Sequence, residues 1–224
     1  MTSEVVAAPP PECILLRIRA DGSSQMGEGI LLGPLILFAS VMSLTPGPNV
    51  VMVTASAANF GFRRVIPHML GITLGFGLLV MGVGLGLAGL FQAEPRLHLA
   101  LKYIGAAYLL YLAWRIAQAG SGSSAAARAR PIGFVEAVLF QCVNPKGWVF
   151  AIGALAAYTT VGGDVWLETS IIAAVNATTC LISVVVWAWF GALIGRWLRN
   201  PRARAAFNWS MAGLLVLSLL PVFW

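Results

Sequence analysis

The stretch MSLTPGPNVVMV, residues 42–53, lies inside a long apolar run and puts Pro46, Gly47, Pro48 and Asn49 where a membrane-crossing helix should be unbroken. Proline has no N–H, and its ring clashes with the carbonyl four residues earlier. Pro46 and Pro48 therefore release the carbonyls of Met42 and Leu44, and Gly47 lets the backbone bend between them. In hydrocarbon each released polar group is costly, so such backbone must face protein or water. The rest of the chain has to supply the reason for the break.

The chain has 224 residues, of which 59% are hydrophobic and 10% charged. Its mean hydropathy is +0.85. Soluble domains carry about a quarter charged residues, so one buried core cannot hold this much apolar surface. The composition describes an all-α integral membrane protein with several crossing helices. The net charge of +6 does not point to nucleic acid, because the Lys and Arg residues sit in short gaps between apolar runs, where membrane topology alone puts them. Cys13, Cys142 and Cys180 are far apart and lack metal-ligand spacing, and His68 and His98 stand alone at run ends. No metal and no cofactor is expected.

Residues 1–27 differ in character from the rest of the chain: they hold three consecutive prolines and mixed charges and read as a disordered tail or an upstream mis-start, with Met26 an alternative initiator to Met1. Residues 28–224 form the membrane domain, with apolar runs at about 29–57, 66–91, 98–117, 133–159, 168–195 and 205–223. Each is near or above the ~20 residues a crossing needs. The longest gap, about 118–132, is rich in Gly, Ser and Ala and reads as a flexible linker. Arginines fill alternate gaps: Arg63 and Arg64, then Arg115, Arg128 and Arg130, then Arg196, Arg199, Arg202 and Arg204. The positive-inside rule puts these gaps in the cytoplasm and both termini outside.

The fourth run repeats the feature of the first. It carries Asn144-Pro145-Lys146 near its middle, as the first carries Thr45-Pro46-Gly47-Pro48-Asn49. Each opens a group of three runs, and an odd number makes the groups face opposite ways. Six transmembrane helices arranged as two inverted three-helix repeats, with the first and fourth broken, are the expected architecture, with a binding site where the breaks meet. Lys146 lies ~13 residues, or ~20 Å, into its run. A lysine that deep costs about 2.5 kcal/mol or more and usually lines a pathway. Glu136 is the one acid inside a run, near its cytoplasmic end, and is a speculative proton-coupling group. Asn176, with Thr178 and Thr179, makes a polar spot expected to bridge helices, with lining the cavity as the alternative. Gly71/Gly75 and Gly82/Gly86 have the spacing that lets helices approach closely; internal packing is the expected use, and a homodimer seam the alternative.

Taken together, these residues resemble the LysE family, small bacterial exporters of amino acids that include the lysine and RhtB-type homoserine/threonine exporters. The resemblance runs from about Gly29 to the C-terminus and rests on TPGPN, GFRRVIPHMLGITLG, LKYIGAAYLLYLAWR and FQCVNPKGWVF in that order. It implies six-helix export of amino acids or close derivatives across the bacterial inner membrane, driven by the proton gradient as in an antiporter. It carries over Pro46, Gly47, Pro48 and Asn49, and Asn144, Pro145 and Lys146. The tail and Glu136 depart from the family pattern. The expected partners are a small-molecule substrate and the lipid bilayer. A cation exporter is disfavoured because no acid pair or His/Cys cluster lies mid-membrane. An enzyme is disfavoured because no acid–base or nucleophile cluster lies near an interface.

Overall fold

The computed structural model describes residues 31–87, 95–119, 130–160, 162–198 and 200–220. The tail at 1–27 and most of the linker expected at 118–132 lie outside the described residues.

The first run folds as two helices, α1 (Leu32–Leu44) and α2 (Pro48–Phe60), bent by 52° at the break. A short 3₁₀ turn (Phe62–Val65) leads into α3 (Ile66–Gly82), which ends in a π-helical segment (Val83–Leu87) where Gly86 takes a φ of 106°. Then come α4 (Pro95–Gln118) and the second bent pair, α5 (Phe134–Val143) and α6 (Pro145–Tyr158), at 64°. The 33-residue α7 (Val165–Trp197) and α8 (Pro201–Leu217) complete the chain.

Both breaks have the same local cause. The residue before a proline is pushed out of the helical region, while proline itself suits the first position of a helix. Thr45 (ψ 129°), Gly47 (ψ −177°) and Asn144 (ψ 106°) are all extended, and Pro48 and Pro145 each begin the next helix. Each break is thus a stop and a restart, which a kink would not give. Further along, the Asp164 side chain accepts from the backbone N–H groups of Trp166 and Leu167 and caps α7.

Among the described residues, three stretches are long and apolar enough to cross a membrane: Phe62–Gly86, Leu99–Gln118 and Val165–Trp197. Each bent pair qualifies when taken as one span, which makes five. The sixth run is present as α8, but its 17 residues rise only about 26 Å. Outward faces are apolar: Leu37, Val135, Leu139, Val149 and Trp189 are exposed, while Gln141, Asn144, Thr169, Asn176, Ser183 and Asn208 are buried. That distribution suits a protein whose solvent is lipid, and the chain is a multi-pass membrane protein.

The centre is an antiparallel pair, α3 and α7, with Gly84 against Thr169 at one end and, further along, Gly77 placed so that a Cβ on it would lie 3.9 Å from that of Ala177. The first broken pair packs on α7 and the second on α3, while α4 packs on α8. Small residues set these approaches. A Cβ on Gly71 would strike the Phe134 carbonyl, and one on Gly75 would lie 2.8 Å from the Val138 Cα. Gly191 and Gly195 of α7 do the same against Thr54 and Ala58 of α2, a pairing the sequence reading did not single out. Gly71/Gly75 are therefore spent on internal packing, as expected. Gly86 has nothing near its Cβ position and serves the positive φ instead, since only glycine adopts that backbone without strain.

Gly75→Val should destabilise the fold by about 1–3 kcal/mol through overpacking against α5, whereas Gly153→Ala, at a position with open space, should leave the melting temperature unchanged or slightly raised. Thermal denaturation of the detergent-solubilised proteins checks both.

Candidate functional site

The structure brings both breaks together, and the site residues expected at them meet there. The Lys146 ammonium donates to the Thr45 carbonyl at 2.6 Å, spanning from the head of α6 to the end of α1. Its stem lies against Gly47, where a Cβ would sit 2.8 Å from the lysine Cδ. Gly47 has a φ of −160°, extended backbone that any residue adopts. The bend to which the sequence reading assigned the glycine does not need it; what its missing side chain leaves room for is the Lys146 stem in its present position.

Asn49, in the first turn of α2, exchanges two hydrogen bonds with Gln141 of α5. Its Nδ2 donates to Gln141 Oε1 at 2.8 Å, and Gln141 Nε2 donates back to Asn49 Oδ1 at 3.1 Å. Asn144 Nδ2 donates to the same Gln141 Oε1 at 3.0 Å. Gln141 is fully buried and is the hub of this amide cluster. Proline geometry named only its backbone carbonyl, released by Pro145; its side chain was missed, and the available signal was a lone glutamine inside an apolar run, three residues before Asn144.

The carbonyls put to use also differ from the simple expectation. Thr45 accepts from Lys146, and Ser43 accepts from the Ser183 hydroxyl of α7 at 2.7 Å. The Gln141 carbonyl, released by Pro145, takes the Asn144 N–H at 3.3 Å in a tighter turn. Around these groups lies a cavity of ≈ 30 Å³, lined among others by Thr45, Gly47, Asn49, Asn144, Lys146 and Cys180. That is room for water and too small for an amino acid. Its lining holds one cation and no carboxylate.

A second cavity of ≈ 330 Å³ opens at the Arg-rich end, lined by Ser56 and Asn59 of α2, Tyr111 and Arg115 of α4, and Arg130. The ten steps along α2 from Asn49 to Asn59 separate the two levels by about 15 Å. Asn59 forms a reciprocal amide pair with the buried Asn208 of α8, at 2.8 and 3.1 Å. Glu136 is not free beside this cavity. Its Oε1 accepts from Arg115 at 2.5 Å and from the Tyr108 hydroxyl at 3.0 Å, while Oε2 faces the Gly133 N–H at 3.4 Å. The ion pair ties α4 to the start of α5.

In the polar spot of α7 it is Thr179 that bridges helices, its Oγ1 lying 3.4 Å from Ser43 Oγ of α1. Asn176 is fully buried, yet neither amide atom has a hydrogen-bond partner among the described residues. His68, expected near a run end, is fully buried in α3 with both ring nitrogens unpartnered among the described residues. Among the described residues no group of three His, Cys, Asp or Glu side chains could hold a metal ion.

Helices broken at their centres, joined there by buried amides and a lysine and enclosed by an apolar exterior, define a membrane translocator. The chain belongs to the LysE type translocator family, whose model matches residues 40–220. It is 33% identical over 199 residues to a cysteine/O-acetylserine efflux protein of Salmonella choleraesuis, covering 87% of this chain and 98% of that protein. It is 30% identical over 191 residues to the cysteine/O-acetylserine efflux protein of Klebsiella pneumoniae, covering 83% and 93%. A homoserine/homoserine lactone efflux protein of Salmonella typhimurium is 29% identical over 189 residues, covering 81% and 90%. No solved structure matches the chain.

Because the two broken helices are joined by amide hydrogen bonds, Asn49→Leu and Gln141→Leu should be coupled. The double variant should be less destabilised than the sum of the singles by roughly 0.5–1.5 kcal/mol. Denaturant titrations of the four proteins measure this, and strict additivity would mean the amide pair contributes nothing.

Proposed function

We propose that this protein exports small amino acids with uncharged side chains, or close derivatives of them, from the bacterial cytoplasm by alternating access. The observation that carries the reading is the small cavity at the two breaks, lined by the Lys146 ammonium and the amides of Asn49 and Asn144. A zwitterion has one carboxylate and one ammonium. The Lys146 ammonium offers the first a charge-assisted hydrogen bond, in exchange for its present bond to the Thr45 carbonyl. Asn144 Oδ1, buried and without a partner among the described residues, together with the carbonyls of the first break, offers acceptors for the second. A basic side chain would meet Lys146 with no carboxylate in the lining to offset it, so lysine and arginine fit poorly. The same repulsion disfavours an inorganic cation. The relatives named for cysteine, O-acetylserine and homoserine agree with an uncharged side chain.

The architecture we infer is six spans in two inverted repeats, α1–α4 and α5–α8. The packing supports it: exchanging the two groups turns the first broken pair on α7 into the second on α3, and leaves α3 on α7 and α4 on α8 unchanged. The Arg-rich end then faces the cytoplasm of the inner membrane and both termini the periplasm. The ≈ 330 Å³ cavity becomes the inward vestibule, and the aromatic string of Phe38, Phe150 and Phe76, with ring centroids 5.5 and 5.4 Å apart, closes the opposite side.

In cells fed dipeptides, wild type should raise one or a few neutral amino acids in the medium, and Lys146→Ala at equal expression should reduce that export at least tenfold. Unchanged export by the variant would remove Lys146 from the site.

Glu136 remains the proposed coupling group. Protonating it dissolves the ion pair with Arg115, which lines the vestibule, and so links proton occupancy to the inward side. Glu136→Gln should therefore flatten the pH dependence of export measured in vesicles; a wild-type pH profile would exclude the coupling role.

A further inference from the structure

One face of α7 carries Thr169, Asn176, Cys180 and Ser183, at intervals of seven, four and three residues. At 100° per residue all four fall in a narrow stripe. Cys180 and Ser183 line the central cavity. Asn176 lies one turn beyond Cys180, toward the end of α7 opposite the Arg-rich vestibule, and Thr169 two turns further. The whole stripe is buried. Its first two members share an unusual property: the Thr169 hydroxyl and both amide atoms of Asn176 have no hydrogen-bond partner among the described residues.

An unpaired buried amide or hydroxyl is expensive, and in a membrane interior no bulk water relieves it. Other amides in the membrane domain are paired on at least one atom: Asn49 with Gln141, Asn59 with Asn208, and Asn144 through its donation to Gln141. Asn176 differs in that neither of its amide atoms has a partner among the described residues. The facing wall of α3 is lined by small residues at the same levels, with Gly77 opposite Ala177 and Gly84 opposite Thr169, so little more than a seam separates the two helices. Phe76 of α3 joins that wall to the cavity and carries the inner end of the aromatic string.

We propose that this face of α7 lines the route by which substrate leaves the central cavity, with the Asn176 amide as the polar group that receives it and Thr169 as the next. The inference rests on the export reading. Closure of the aromatic string leaves the route collapsed, and its polar groups wait unpaired. When the string parts, Asn176 Nδ2 donates to the substrate carboxylate, or Oδ1 accepts from its ammonium. A neutral amide suits an exit step because it pairs with both ends of a zwitterion and holds neither as tightly as Lys146 holds a carboxylate.

The test has two arms. In the first, Asn176→Leu should cut export at least tenfold while the melting temperature stays the same or rises, because an unsatisfied polar group has been replaced by an apolar one of similar size. Asn176→Gln should restore part of the export. The second arm does not depend on transport. In a chain with Cys13, Cys142 and Cys180 replaced by serine, Asn176→Cys and Thr169→Cys are exposed to a small charged methanethiosulfonate in membranes. Both should be modified, whereas Ala174→Cys, on an outward face of the same helix, should not. If wild type exports amino acids and Asn176→Leu exports them equally, the inference falls and the export reading stands. If wild type exports none, the export reading falls, and labelling alone decides whether water reaches this face. Asn176→Cys and Thr169→Cys as inert as Ala174→Cys overturn the inference in every case.

Discussion

The structure depends on the bond between the Lys146 ammonium and the Thr45 carbonyl. A carbonyl released in the middle of a membrane must find a donor inside the protein, and a lysine carried to that depth must find an acceptor. Each break supplies what the other needs. The first presents Thr45 and Ser43 as acceptors. The second brings Lys146 to one of them, and α7 brings Ser183 to the other. Neither broken helix is tenable alone, which is why they pack at one level of the molecule. Asn49, Gln141 and Asn144 close the same junction from the other side with neutral amides.

Such a junction can be remade without being destroyed. Each bond between the two broken helices joins a side chain on one to an acceptor on the other, groups for which a ligand's carboxylate and ammonium can be exchanged. A core of packed leucines offers no such exchange, because apolar contacts have no partner to trade. The long α7 is the fixed reference. It is uninterrupted from Val165 to Trp197, and Gly191 and Gly195 hold it against the backbone of α2. Gly71 and Gly75 hold α5 against α3 in the same way.

The helices and breaks were legible in the sequence because their causes are local. Six apolar runs reappear as helices, and Pro46, Pro48 and Pro145 stop and restart them where the pre-proline restriction requires. Partner identities were not legible, since they depend on which side chain arrives from far along the chain. Proline geometry names Met42 and Leu44 as released acceptors, but Ser43 and Thr45 are the ones engaged, because Ser183 and Lys146 reach those two. Gly47 looked like a hinge until the stem of Lys146 filled the space beside it. Glu136 looked like a lone acid, since Arg115 and Tyr108 are neighbours only in space. The start of α8 was not legible, because Pro201 at its head and Asn200 capping it lie ahead of the apolar run that begins near 205.

Asn176 reverses the usual logic of reading polar residues in membrane helices. A polar residue there is ordinarily a bridge, and the expectation for Asn176 was a bridge. Bridges are satisfied in the resting fold, as Asn59 and Asn208 are. A group that binds something transient is satisfied only part of the time, so a closed structure shows it unpaired. Asn144 Oδ1, Asn176 and Thr169, unpaired among the described residues, run from the junction along α7 on the far side from the vestibule, whereas the His68 ring and Trp187 Nε1, also unpaired there, lie toward the Arg-rich end. What sets the first three apart is their continuity with the cavity, and that is the arrangement the proposed exit route calls for.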